Sequence, residues 1–162
     1  MLISAIICTY NGQKYIHRTL NSLANQSLDC KDYEIVVVDN HSTDNTPLIV
    51  SKFKKENPNL NLHYCLELQK GLSFARNKGI QAAKSSIIVY IDDDAEANNS
   101  FLKAHLEAYQ DTKVKAAGGK VVPEYSNGQP PIWFSKYLSG VFSLVDFGDT
   151  EQFFFSKISC WL

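Results

Sequence analysis

The run Ile87, Ile88, Val89, Tyr90, Ile91, followed at once by Asp92, Asp93 and Asp94, limits this chain more than any other feature. Five consecutive β-branched or aromatic residues read as a buried strand of a parallel sheet. Three adjacent carboxylates at its end raise one another's proton affinity unless a cation is near. Open α/β sheets place their ligands at the carboxyl ends of the strands. A divalent metal and a phosphate-bearing ligand at the lip of a sheet satisfy all three statements.

The rest of the chain supplies such a sheet. Strands are expected over residues 2–8, 34–39, 60–66, 87–91 and 116–122, and helices over 12–25, 46–56, 72–84 and 101–109. Pro47 falls in the first turn of the second helix, where a missing N–H costs nothing. Leu72, Ala75, Gly79, Ala82 and Ala83 form the inward face of the third. Strands alternating with helices imply right-handed crossovers and a mostly parallel sheet, with 87–91 as the central strand.

A chain of 162 residues suits one domain, and 44% apolar residues suffice for its core. A net charge of −1 offers no general field for nucleic acid or an anionic membrane. The cysteines at 8, 30, 65 and 160 have the spacing of neither a zinc knuckle nor a redox pair. Cys8 and Cys65 lie in apolar runs and read as reduced core residues, which favours a cytoplasmic setting. The chain opens with no signal segment, and its first apolar stretch is too short to span a bilayer. Docking on a membrane surface, at the inner face of the plasma membrane, stays open.

Beyond Pro123 the pattern degrades. NGQPP is a turn, residues 133–144 are aromatic without a period, and the chain ends on FFFSKISCWL. Chain ends are usually polar, so the expectation is a core over 1–122 followed by a truncated second region over 123–162.

Three strand ends meet at one edge if the sheet is parallel. They carry Thr9, Tyr10 and Asn11; then Asp39, Asn40 and His41; then Asp92 to Asp94. Polar clusters after three strands of one sheet point to a composite pocket. The four histidines form no metal set; His41 alone is placed to reach the pocket. Asp39 reads either as an acceptor for an N–H of a base or as a turn aspartate, and Asp44 as a cap. Tyr10 reads as a stacking platform or a half-buried aromatic. Arg76, on a small and apolar helix face, calls for an anionic partner, a diphosphate or Asp94, unless it is an exposed helix arginine. Asn77 and Gly79 read as packing residues, and Lys70 as a solvated lysine or a weaker phosphate ligand. Strand alternation turns Asp92 and Asp94 one way and Asp93 the other.

ICTYNG, VVVDNHSTDNT, GLSFARNKGI and YIDDDA, in this order and spacing, resemble the nucleotide-sugar-binding half of a family 2 glycosyltransferase of the GT-A fold. The resemblance covers residues 2–122. It implies an α/β, Rossmann-like three-layer sandwich with a mostly parallel central sheet, incomplete at its C-terminal side. It implies a nucleoside diphosphate sugar donor, by preference a UDP-sugar, and a saccharide or lipid-linked acceptor. Its D-x-D pattern falls on Asp92 and Asp94, with Asp94 as direct metal ligand, Asp92 as ribose or metal-shell residue and Asp93 as a further ribose candidate. Thr9, Tyr10, Asn11, Asp39 and Arg76 complete the substrate contacts. Oxygen ligands suit Mg²⁺ or Mn²⁺.

The resemblance also implies inverting transfer with an Asp or Glu base, of the kind that builds cell-envelope or exopolysaccharides. Glu124, Asp146, Asp149 and Glu151 lie downstream, none in a context like that of the family's base. The alternative is therefore a nucleotide-sugar-binding fragment or pseudoenzyme. A sugar-phosphate nucleotidyltransferase would need a Gly-rich, Arg-Lys loop after the first strand. A phosphoacceptor signalling domain would need an acidic pair there. TYNGQKY has neither.

Overall fold

The computed structural model describes residues 1–125 and 127–134. The expectations for the aromatic stretch past 134, for the final phenylalanines, and for Asp146, Asp149, Glu151 and Cys160 lie outside the described residues. The chain divides into two units, Met1–Ala117 and Gly118–Leu162.

The first unit alternates strand and helix: β1 (Ile3–Thr9), α1 (Ile16–Ala24), β2 (Tyr33–Asp39), α2 (Thr46–Glu56), β3 (Leu62–Leu66), α3 (Leu72–Ala82), β4 (Ile88–Asp92) and α4 (Phe101–Ala108). The strands pair in the order β3-β2-β1-β4, every pair parallel. The register sets Thr9 beside Asp39 and Cys8 beside Asp92, so the carboxyl ends of three strands finish level.

Strand periodicity sorts the core into two layers. Ile3, Ala5, Ile7, Tyr33, Ile35, Val37, Val89 and Ile91 pack with Ile16, Leu20 and Leu23 of α1, Val50 and Phe53 of α2, and Leu102 of α4. Ile6, Val36 and Val38 pack on the other face with Ala75 of α3. Gly79 lets α3 approach closely, since a Cβ there would stand 2.6 Å from Ile6 Cγ2. The result is the expected three-layer α/β/α arrangement. At the amino end of the sheet the fully buried Glu34 accepts from the Ser4 hydroxyl and the Lys84 amide, both at 2.6 Å.

Four expectations change. The run 87–91 forms an edge strand of the four-stranded sheet rather than its centre. It alternates buried Val89 and Ile91, which face the core layer of α1 and α4, with exposed Tyr90 on the other face, and among the described residues it pairs only with β1. No strand forms over 116–122, which keeps only an isolated bridge at Val121. Gly118 and Gly119 sit there with open space around them, and glycine weakens a strand that nothing packs against. α1 starts at Ile16 rather than residue 12, after a turn in which the Tyr15 and Ile16 amides both donate to the Gly12 carbonyl. Leu72 is 52% exposed rather than inward, because it opens α3 beside the cleft described below.

Within the second unit, the Gly128 amide closes a turn on the Tyr125 carbonyl at 2.8 Å. The rings of Tyr125 and Phe134 meet edge to face, 6.1 Å apart. No described helix is long and apolar enough to cross a membrane.

Candidate functional site

β1 delivers Thr9 to the level edge with its side chain buried, and Thr9 donates its hydroxyl to the Asp93 carboxylate. A turn, closed by the Ala95 amide on the Asp92 carbonyl at 3.1 Å, ends β4 and swings Asp93 inward. The Thr19 hydroxyl holds the Asp93 carbonyl at 2.8 Å. The fit is so close that a Cβ on Gly12 would collide with both the Thr9 hydroxyl and the Asp93 carboxylate. Burial pushes the Asp93 carboxyl up from the usual carboxylate range; the bond from Thr9 opposes this, and Asp94 and Asp92 add to it. Asp92 and Asp94 stay exposed. The extended geometry that would have carried the alternation past Asp92 is lost in the turn; Asp93 is half-buried against Thr9 while Asp92 and Asp94 are exposed.

Asp39 ends β2 with no exposed surface. One carboxylate oxygen accepts from the Ser42 amide at 2.7 Å and the other from the Tyr64 hydroxyl at 2.8 Å. Burial first, then the bond to Asp39, pushes the Tyr64 phenol well above its ordinary value. The turn role anticipated for Asp39 is thus present. Asp44 takes the Thr46 amide at 2.9 Å and the Thr46 hydroxyl at 2.6 Å in the turn just before α2, whose N-cap position is Asn45 rather than Asp44.

The loops after β1 and β2 are laced together. Asn11, at φ 56°, accepts the Thr43 amide at 2.8 Å and donates its own amide to the Ser42 hydroxyl at 2.8 Å. The Gln13 amide reaches Asp44 and the Asn45 amide reaches Gln13, both at 3.1 Å. His41, at φ 67°, is exposed.

A cleft of about 290 Å³ opens at this edge. Cys8 and Thr9 line it from the end of β1 and Tyr10 from the loop after it, Asn40 from the loop after β2, Lys70 and Gly71 from the segment before α3, and Leu72 and Ala75 from α3. Asn40 builds the far wall. Its side-chain amide donates to the carbonyls of Glu67 at 3.2 Å and Gln69 at 2.7 Å, and its oxygen accepts the Gly71 amide at 2.7 Å. Gly71 holds φ 138°, a conformation closed to most side chains. Lys70 lies over the Tyr10 ring, 4.9 Å from its centroid and 3.2 Å from its hydroxyl.

Of the residues expected to bind substrate, Thr9 and Tyr10 line the cleft; Asn11, Asp39, Arg76 and the aspartates do not. Arg76 is exposed and sits 5.6 Å from the Tyr90 ring rather than on Asp94. It still feels the cleft. Burial raises the Cys8 thiol to about 11, Arg76 opposes the rise, and Asp92 and Asp93 add to it. Asn40 and Gly71 join the site beyond the residues expected to bind substrate. An amide residue directly after a strand-ending aspartate, and a glycine directly before a helix, were the signals. Among the described residues, no three His, Cys, Asp or Glu side chains gather to hold a metal. Two exposed oxygen donors nonetheless fit an ion such as Mg²⁺, which takes one or two carboxylates and completes its shell with substrate phosphates and water.

The sequence matches Glycosyl transferase family 2 over residues 4–159. The chain belongs to this family.

Among family 2 relatives, it is 32% identical over 126 residues to glycosyltransferase AglE of Haloferax volcanii, covering 78% of this chain and 41% of AglE. It superposes on Staphylococcus aureus TarS 1–349 in complex with UDP-GlcNAc with a TM-score of 0.62 and 32% identity, over 76% of this chain and 37% of that one. The mannosyltransferase PcManGT of Pyrobaculum calidifontis, solved with GDP-Man and Mn²⁺, aligns with a TM-score of 0.56 and 33% identity, over 58% of this chain and 28% of the other. The chain thus spans less than half the length of these relatives. The GT-A architecture of such neighbours is the architecture of this fold.

Proposed function

We propose that this chain binds a nucleoside diphosphate sugar, by preference a UDP-sugar, in the cleft lined by Tyr10, Asn40 and Lys70, and serves its transfer to a saccharide or lipid-linked acceptor hydroxyl with inversion. The observation that carries this reading is the level meeting of the cleft, the aspartates after β4 and the buried Asp39 at one carboxyl edge. Tyr10 offers the base a stacking face. Asp39 offers an acceptor for a base N–H. Lys70 and Arg76 supply positive charge toward a diphosphate. Asp93, held by Thr9, stiffens the turn that presents Asp92 and Asp94 and remains a ribose candidate, and Asn11 secures the loop beside it.

Asp92 and Asp94 would hold Mn²⁺ or Mg²⁺ with diphosphate oxygens. When bound, such an ion offsets the charge that develops on the leaving diphosphate, an effect of several kcal/mol in comparable sites, roughly 10³-fold in rate. A cytoplasmic setting accords with the free thiols of Cys8, Cys30 and Cys65, and peripheral membrane docking fits a lipid-linked acceptor.

Isothermal titration with UDP, with and without Mn²⁺, tests the reading. Binding should tighten at least tenfold with Mn²⁺, and Asp92→Asn with Asp94→Asn should remove that gain. No heat at millimolar UDP in excess Mn²⁺ refutes it. A second reading, donor binding without turnover by this chain, is favoured by the lack of a base-like context around Glu124 and the later carboxylates. A transfer assay with UDP-GlcNAc separates the two.

A further inference from the structure

Asp39 poses a problem for any ligand. Its carboxylate has no exposed surface, and each oxygen already accepts one hydrogen bond, from the Ser42 amide and from the Tyr64 hydroxyl. The Ser42 bond is backbone and belongs to the turn after β2. The Tyr64 bond is different. Tyr64 stands on β3, an edge strand, is 38% exposed, and is fixed to Asp39 through its hydroxyl. A partly exposed aromatic at a sheet edge can turn outward; a strand-end amide cannot.

We propose that the Tyr64 hydroxyl and a nucleobase N–H compete for the same oxygen of Asp39, so that Tyr64 sets how tightly the donor is held. This rests on the assignment of Asp39 to the base. The exchange trades one hydrogen bond to a carboxylate for another and is close to neutral. Uracil or guanine brings the replacement donor at its pairing edge. Cytosine N3 and adenine N1, the ring nitrogens in the corresponding position, are acceptors, so either base seated in that pose would leave a buried anionic oxygen bare. Sites that bury a polar group against a missing partner discriminate by large factors, and discrimination of UDP over CDP on the order of 10²-fold is expected here. The bond that must be given up by Tyr64 lowers donor affinity as a whole, while the choice between bases rests with the Asp39 oxygen itself.

Titration calorimetry on the wild-type chain, Tyr64→Phe, Asp39→Ala and the double variant tests this, with UDP and CDP as ligands. Tyr64→Phe should lower the melting temperature, since the Asp39 oxygen loses its donor, yet bind UDP about tenfold more tightly, since nothing must be displaced. In the Asp39→Ala background the same change should leave UDP affinity where it was. UDP binding that is unchanged or weaker in Tyr64→Phe, while Asp39→Ala weakens it strongly, overturns the exchange and leaves the base assignment standing. UDP binding indifferent to Asp39→Ala overturns both. Should Tyr64→Phe fail to fold, the nuclear magnetic resonance signal of isotope-labelled Tyr64 in the wild-type chain reports the same event. A shift on adding UDP but not CDP supports the exchange, and a signal unmoved at UDP saturation overturns it.

Discussion

Single atoms decide much at this edge. Gly12 is one methyl group away from breaking the Thr9–Asp93 contact. Overpacking of this kind costs about 1–3 kcal/mol, so Gly12→Ala should lower the melting temperature and also weaken UDP binding, because Thr9 lines the cleft. A variant that melts lower but binds UDP like the wild type would separate the contact from the site. Asn40 carries three hydrogen bonds to the segment before α3. At roughly 1 kcal/mol net for each, Asn40→Ala should cost about 2–3 kcal/mol in denaturant unfolding and reduce UDP affinity severalfold by releasing Lys70 and Gly71. Asn40→Asp, which keeps the acceptor for Gly71 but turns an anionic oxygen toward the Glu67 and Gln69 carbonyls, should destabilise at least as much as Asn40→Ala.

Two elements carry their own tests. α3 gains about 1 kcal/mol of helix propensity if Gly79 becomes Ala, but the new methyl would press on Ile6 Cγ2 at 2.6 Å and Cδ1 at 3.2 Å. Ile6 is wholly buried and cannot step aside, so the clash wins and Gly79→Ala should destabilise by about 1–2 kcal/mol. At the other end of the sheet, His63 of β3 stands 3.4 Å from the buried Glu34 and 3.3 Å from the Lys84 ammonium. Burial and then Lys84 hold the imidazole below its ordinary value of 6.5, and the pull of Glu34 is outweighed. The folded chain therefore keeps His63 neutral where the unfolded chain protonates it. Unfolding then takes up a proton, and stability falls as pH drops below 6.5. Urea midpoints compared at about pH 5 and pH 7 should show this loss, and His63→Asn should reduce it.

At the scale of the molecule, ligand binding and folding are linked. UDP held at about 100 times its dissociation constant should stabilise the fold by roughly 2.7 kcal/mol, a rise in melting temperature that thermal denaturation detects, and Tyr10→Ala should abolish it at the same UDP concentration. The alternation of strands and helices was legible in the sequence because its periods are local, and so were the polar strand ends that finish level. The edge position of β4 was not, since five apolar residues in a row look alike whether one neighbour or two pairs with them. Gly118 and Gly119 broke a strand that Val121 and Val122 alone would suggest. Asn40 and Tyr64 act through partners 25 to 31 residues away in sequence, and only the parallel register brings those partners within reach. The lacing of Asn11 and Gln13 to residues 42–45 has a mechanical result. Those two loops form one stiff jaw, and the opposing segment is already tied to it, through the Asn40 side chain, the Glu67 amide on the Asp39 carbonyl, and Lys70 on Tyr10; a donor that takes the Tyr10 ring must first part Lys70 from it.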